Sequence, residues 1–197
     1  ARSRVYGGGY KIYTNQITSI QNITEAEFKL EKYILKSKQV EGAHSQAAMV
    51  IIDNATGKVV ACMGGLGTDV DAVGINRIYS ERQPGSSIKP LGVYGAGIQY
   101  GTITAATVYD NSRTTFGTSY SPNNASSQRS GLCNIRGAIE VSANIVACKV
   151  LSGVDPDKSI DFMRELGITS LVKASEDSAH NDSNLSLALG GITKGIS

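Results

Sequence analysis

Ser86 and Lys89 stand three apart in QPGSSIKP, and Ser142 and Asn144 two apart in VSANIV. A serine hydroxyl is a poor nucleophile until a base takes its proton, and a lysine serves as that base only when burial or a neighbouring cation lowers its pKa. Residues three apart share a helix face, so Ser86 at a helix start touches Lys89 one turn on. Ile88 and Leu91 offer an apolar neighbourhood, and the helix N-terminus offers backbone amides to a developing oxyanion. Ser142-Ala143-Asn144 at a helix junction places a hydroxyl and a carboxamide into a cleft. Taken singly, each pair has an ordinary explanation: serine and lysine three apart recur by chance, and serine and asparagine are favoured helix caps.

The elements that must hold these residues are legible in outline. Residues 9–18 read as an extended leading strand, and Thr24-Glu25-Ala26-Glu27 as a capping box opening a helix, with Ile23 and Phe28 as its staple and Gly42 as its stop. Residues 46–53 and 58–64 form two β-branched-rich runs joined by Asn54-Ala55-Thr56-Gly57, an antiparallel hairpin. Its first strand lacks clean alternation and is expected to be covered on both faces. Residues 66–83 are irregular. After Pro84-Gly85 a helix is expected over 86–99, with Pro90 near its first turn. Residues 113–131 form a long polar loop. Helices are expected over 134–141 and 145–151, then one with Asp155 as cap, Pro156 at its first position and Gly167 as stop. Residues 170–183 read as polar linker before LSLALGG.

Composition bounds the function. With 197 residues, 41% hydrophobic and 22 glycines, the chain suits about one folded domain. A net charge of +2 without a basic run argues against nucleic acid. The longest strongly apolar stretch, 47–52, falls far short of the roughly 20 residues a membrane helix needs. Cys62, Cys133 and Cys148 form no CxxC pair and read as small buried side chains, Cys62 and Cys148 in the core. His44 and His180 read as surface residues. No cofactor or metal is expected, and Gly95-Ala96-Gly97 up to Gly101 follows no strand, so it reads as packing rather than a dinucleotide fingerprint.

The order of S-x-x-K followed by S-x-N matches the first two motifs of the penicillin-recognising serine enzymes. The chain resembles the transpeptidase domain of class A penicillin-binding proteins from about Gly9 to Ser197. The likeness runs through GGYKIYTN, QAAMVIIDNATGKVVACMGG, NRIYSERQPGSSIKP, YSPNN, GLCNIRGAIEVSANIVACKV, DPDKSIDFMRELGIT and LSLALGGITKGIS. It implies an α/β fold of the α+β type, an antiparallel sheet with helices on both faces, shared with serine β-lactamases. Residues 1–20 would be linker and leading strand, and 21–197 the N-terminal part of the domain. It implies Ser86 as acylated nucleophile, Lys89 as its base, Ser142 as proton relay to the leaving amine and Asn144 as holder of the substrate backbone. The implied partners are peptidoglycan stem peptides ending in D-Ala-D-Ala and β-lactam antibiotics. The implied product is a peptide crosslink, with D,D-carboxypeptidase activity as a side reaction.

The family's third motif, Lys-Thr-Gly or Lys-Ser-Gly, does not occur before Ser197; Thr193-Lys194-Gly195 has the wrong order and reads as a turn. Residues 1–197 alone are therefore expected to be inert and to need the remaining C-terminal part of the domain. The family places such domains on the extracytoplasmic face of the bacterial membrane, tethered through an upstream anchor. Two rivals stay open: a β-lactamase or β-lactam sensor, which shares both motifs, and a non-catalytic cell-wall scaffold module.

Overall fold

A computed structural model describes residues 2–36, 38, 40–67, 74–125 and 131–197, with backbone alone for residues 2–4. Parts of three expected segments, at 37 and 39, 68–73 and 126–130, lie outside the described residues. The chain divides into two compact units, 1–80 and 81–197.

The first unit contains α1 (Arg2–Gly7), α2 (Thr18–Phe28), a 3-10 turn at Glu31–Tyr33, strands β1 (Met49–Asp53) and β2 (Lys58–Met63), and a 3-10 turn at Arg77–Tyr79. The hairpin forms where expected. β1 and β2 pair antiparallel with an irregularity between Ile51 and Ile52. The turn is tied by Asp53, whose carboxylate accepts from Ala55 N–H (3.0 Å) and Thr56 Oγ1 (2.6 Å). Val50, Ile52 and Val59 are exposed on it.

Several expectations fail in this unit, among them the cover of β1 on both faces, since Val50 and Ile52 are exposed. Residues 9–17 form no strand, and the helix begins at Thr18 instead of at the Thr24 box. Contacts with β2 decide its start: Ile17 N–H donates to Val60 C=O (2.8 Å). Buried Gln21 brackets Cys62, accepting from its N–H (3.0 Å) and donating to its C=O (3.1 Å). Thr24 thus lies inside α2, its hydroxyl donating back to Ile20 C=O (2.9 Å), which is what threonine does inside a helix. The helix stops at Phe28, well before Gly42, because Leu30 turns extended. Cys62 is exposed rather than in the core: the strand's burial does not alternate, with Val60 and Ala61 buried in succession and Cys62 left open beyond them.

The second unit carries the main hydrophobic core. A continuous helical run crosses it as a 3-10 turn (Gly85–Ile88), a π-helical segment (Lys89–Gly95) and α3 (Ala96–Gln99). It is followed by β3 (Val108–Asp110), β4 (Leu132–Asn134), α4 (Ile135–Glu140), α5 (Asn144–Val154), α6 (Pro156–Glu165) and a 3-10 turn at Leu185–Leu189. The antiparallel pair β3–β4, unforeseen in the sequence, closes the base of the long loop. Seven of the eleven residues of α5 are buried, so it forms the spine of the core. α6 begins as expected: Asp155 accepts from Asp157 N–H (2.8 Å) and Pro156 takes the first turn. Residues 170–183 are not a loose linker. Asp182, 1% exposed, accepts from Val172 N–H (2.8 Å), Thr193 N–H (2.6 Å) and Thr193 Oγ1 (2.8 Å). Leu171 is buried, and Arg164 makes a two-pronged ion pair with Glu176. The chain is thus a mixed α/β protein with antiparallel strand pairs.

Candidate active site

The changing pitch of the 85–99 helix begins at a proline. Pro90 has no N–H, so Ser86 C=O cannot receive the usual bond from four residues on. It accepts instead from Lys89 N–H three residues on, which tightens the first turn to 3-10 geometry. The following π-helical segment buries Lys89, Gly92, Val93 and Tyr94. Widened turns of this kind recur at functional sites.

Ser142 is positioned by the end of α4. Ala143 N–H reaches back to Ala138 C=O (2.8 Å) and Ser142 N–H to Ile139 C=O (3.0 Å), which throws Ser142 into the left-handed region at φ 53°. Glycine is usual at that position after a helix. A serine there carries backbone strain of about 1 kcal/mol. In exchange, its carbonyl and its hydroxyl both face one point, the Lys89 ammonium. Asn144, two residues on, is the first residue of α5.

Lys89 is 2% exposed. Its Nζ donates to Ser142 C=O (2.7 Å), Ser142 Oγ (3.0 Å) and Asn144 Oδ1 (2.6 Å). An ammonium has three donors, and here each has an acceptor, which is what makes the buried charge tolerable. Desolvation nevertheless dominates and lowers the Lys89 pKa below its ordinary value, with the Cys148 thiol acting weakly in the opposite sense. A neutral amine has two N–H bonds and one lone pair. Two of the three partners are carbonyl oxygens that only accept, so the lone pair falls to the one group able to reverse roles, a hydroxyl.

Ser86 is exposed, one turn before Lys89, and its hydroxyl makes no hydrogen bond among the described residues. The structure therefore joins Lys89, Ser142 and Asn144 in one cluster and leaves the Ser86 hydroxyl outside it, facing solvent. Neighbouring Ser87 is occupied by Pro84 C=O (2.7 Å). The approach to Ser86 is clasped by the end of the chain. Arg82 and Ile196 exchange backbone hydrogen bonds, both 2.9 Å. The Gln83 carboxamide accepts from Ile192 N–H (2.8 Å) and donates to Ile192 C=O. Gly190, at φ 75°, lies so close to Gly85 that an added Cβ would sit 2.2 Å from its carbonyl oxygen. This gives LALGG its place in the site. Thr193 is engaged by Asp182 and Gly195 turns against Arg82, as befits a turn.

Beneath Lys89, Cys148 is buried one turn along α5 from Asn144, its thiol pushed up to about 11 by burial. Cys133 is half-buried, and both histidines are exposed as expected. Among the described residues no three of His, Cys, Asp or Glu gather so as to hold a metal ion. Sequence reasoning missed Asn123 and Asn124, which touch Asn144 directly: Asn123 C=O accepts from Asn144 Nδ2 (2.7 Å) and Asn124 Oδ1 from Asn144 N–H (2.9 Å). The only sequence signal for them is their place in YSPNN.

The family model described as penicillin binding protein transpeptidase domain matches residues 47–193. Penicillin-binding protein 1A of Clostridium botulinum (strain Hall) is 33% identical over 199 residues, covering 95% of this chain and 23% of its own length. Penicillin-binding protein 1F of Bacillus subtilis (strain 168) is 30% identical over 190 residues, covering 96% and 24%. The chain thus spans about a quarter of the length of these curated relatives. In fold it is similar to PonA1 of Mycobacterium tuberculosis, solved in complex with penicillin V, at a TM-score of 0.72 and 22% identity over 97% of this chain and 49% of the other.

Proposed function

Since the chain belongs to the penicillin-binding protein transpeptidase family, we propose that the protein carrying it is a peptidoglycan D,D-transpeptidase in which Ser86 is the nucleophile. Ser86 Oγ attacks the carbonyl of the penultimate D-alanine of a stem peptide as its proton passes to neutral Lys89. The proton leaves through Ser142 to the nitrogen of the departing D-alanine, breaking the peptide bond and leaving an acyl ester on Ser86. The amine of a neighbouring stem peptide then attacks that ester, and the same groups run in reverse to release the crosslink. Water in place of the amine gives the carboxypeptidase side reaction. Asn144, with one N–H of its amide held by Asn123, has a second to offer the substrate backbone. β-Lactams acylate the same serine. We place this chemistry at the extracytoplasmic face of the bacterial membrane, where peptidoglycan lies; no helix among the described residues is long and apolar enough to cross a membrane.

The observation that carries the reading is the buried Lys89 ammonium, whose only reversible partner among the described residues is the Ser142 hydroxyl. Intact-mass spectrometry of the full-length protein after incubation with penicillin tests it. One penicilloyl adduct mapping to Ser86, absent from Ser86→Ala, is expected. An adduct that persists in Ser86→Ala moves the nucleophile elsewhere, and no adduct on the wild type overturns the acyl-enzyme.

A further inference from the structure

α5 starts without a cap of its own. Its N-cap position is Ala143, which has no side-chain acceptor for the N–H groups of the first turn. Those groups are buried beside the ammonium cluster and need a partner. Asn124 supplies it from 20 residues upstream: its Oδ1 accepts from both Asn144 N–H (2.9 Å) and Ile145 N–H (3.2 Å). Asn124 is itself held, its Nδ2 donating to Asn111 Oδ1 (3.0 Å) and Asn111 C=O (3.4 Å), with Asn111 3% exposed. Pro122, buried two residues earlier, anchors the same stretch. Asn123 C=O takes the Asn144 Nδ2 (2.7 Å), so the Asn144 carboxamide oxygen must point the other way, at Lys89.

We propose that Asn124 is a positioning residue for acyl transfer: it caps α5 across space and thereby fixes Asn144 and, through it, the orientation of Lys89. The proposal rests on the transpeptidase reading above. Asn124 makes no hydrogen bond to Lys89 or Ser86; it acts by setting the backbone and carboxamide of Asn144. A helix start released by even 1 Å would let the Asn144 oxygen drift from Lys89, and displacements of that size cost about 100-fold in rate.

The test is the rate of acylation by a fluorescent penicillin, measured on the folded full-length protein as wild type, Asn124→Ala, Asn124→Asp and Asp155→Ala. Asp155→Ala is the matched control, removing the cap of α6, which makes no hydrogen bond to the cluster. Asn124→Ala is expected to acylate about 10- to 100-fold more slowly. Asn124→Asp keeps the accepting oxygen, and aspartate caps as well as asparagine, but it loses the amide that donates to Asn111, so it is expected within about tenfold of wild type and faster than Asn124→Ala. Asp155→Ala is expected at the wild-type rate. Acylation of Asn124→Ala at the wild-type rate, or an equal slowing in Asp155→Ala, overturns the proposal. Should Asn124→Ala fail to fold, Asn124→Asp decides: acylation within about tenfold of wild type upholds the capping role, and a loss of about 100-fold in the folded Asp variant removes it. A wild type that is never acylated overturns the transpeptidase reading, and this proposal with it.

Discussion

In the proposed mechanism Lys89 serves through its proton rather than its charge. Burial favours the neutral amine, so the fraction of Lys89 able to act as base rises with pH around a midpoint below the ordinary lysine value. Acylation by penicillin is therefore expected to climb with pH and level off before pH 10.5. The same limb is expected to vanish in Lys89→Ala, with a rate loss of about 100-fold or more, as stopped-flow acylation would show. Lys89→Arg should fail equally, because guanidinium stays protonated; wild-type rates in either variant remove the base role. Ser142 offers a second test at this scale. Its left-handed backbone predicts that Ser142→Gly unfolds at higher denaturant than Ser142→Ala, by about 1 kcal/mol, although both lose the hydroxyl. Equal stabilities would show that the turn carries no strain.

Two glycines separate what the helical elements tolerate from what they do not. In Gly92→Ala the new Cβ would meet the Met163 sulfur at 2.6 Å, at the far end of a flexible side chain on α6. Methionine can move aside, so a cost of about 1 kcal/mol is expected. In Gly190→Ala the Cβ meets three backbone atoms of Gly85 at 2.2–2.6 Å and φ is already 75°. About 3 kcal/mol or more is expected, together with slowed acylation, since Gly85 precedes Ser86. Chemical denaturation of the two variants checks the order, and a Gly190→Ala as stable as Gly92→Ala would remove the clasp from the description. Much of this level was legible in the sequence. The hairpin and α6 announce themselves through turn residues, the Asp155 cap and Pro156, and α4 and α5 through their apolar runs. The S-x-x-K and S-x-N motifs could be paired because their order is distinctive. The start of α2 was not legible, because the backbone of β2, far along the chain, overrides the local capping signal at Thr24. Nor was the cap of α5, since Asn124 lies 20 residues from the helix it serves. The 3-10 to π change of pitch follows from Pro90 only once the helix is known to continue past it.

Across the whole chain, stability is unevenly shared. The main hydrophobic cluster draws all of its members from Ile88 onward, while among the described residues the first unit buries only the side chains of Gln21, Thr24, Val60, Ala61 and Leu66. Hydrogen exchange is expected to protect the amides of α5 and α6 most strongly, and those of α2 and the hairpin less. Uniform protection along the chain would contradict this. Thiol labelling without denaturant should modify exposed Cys62 first and buried Cys148 only on unfolding. The clasp between Gln83 and Ile192 has a further bearing, on the order in which the protein matures. The two residues are 109 apart in sequence. Bringing such distant ends together costs about 4 kcal/mol of chain entropy, returned only when the intervening core has condensed. A nascent chain leaving the ribosome therefore carries Ser86 long before it carries the segment that shapes the turn around it. Reactivity arrives late in synthesis, and a serine that meets an electrophile before then does so as an ordinary alcohol.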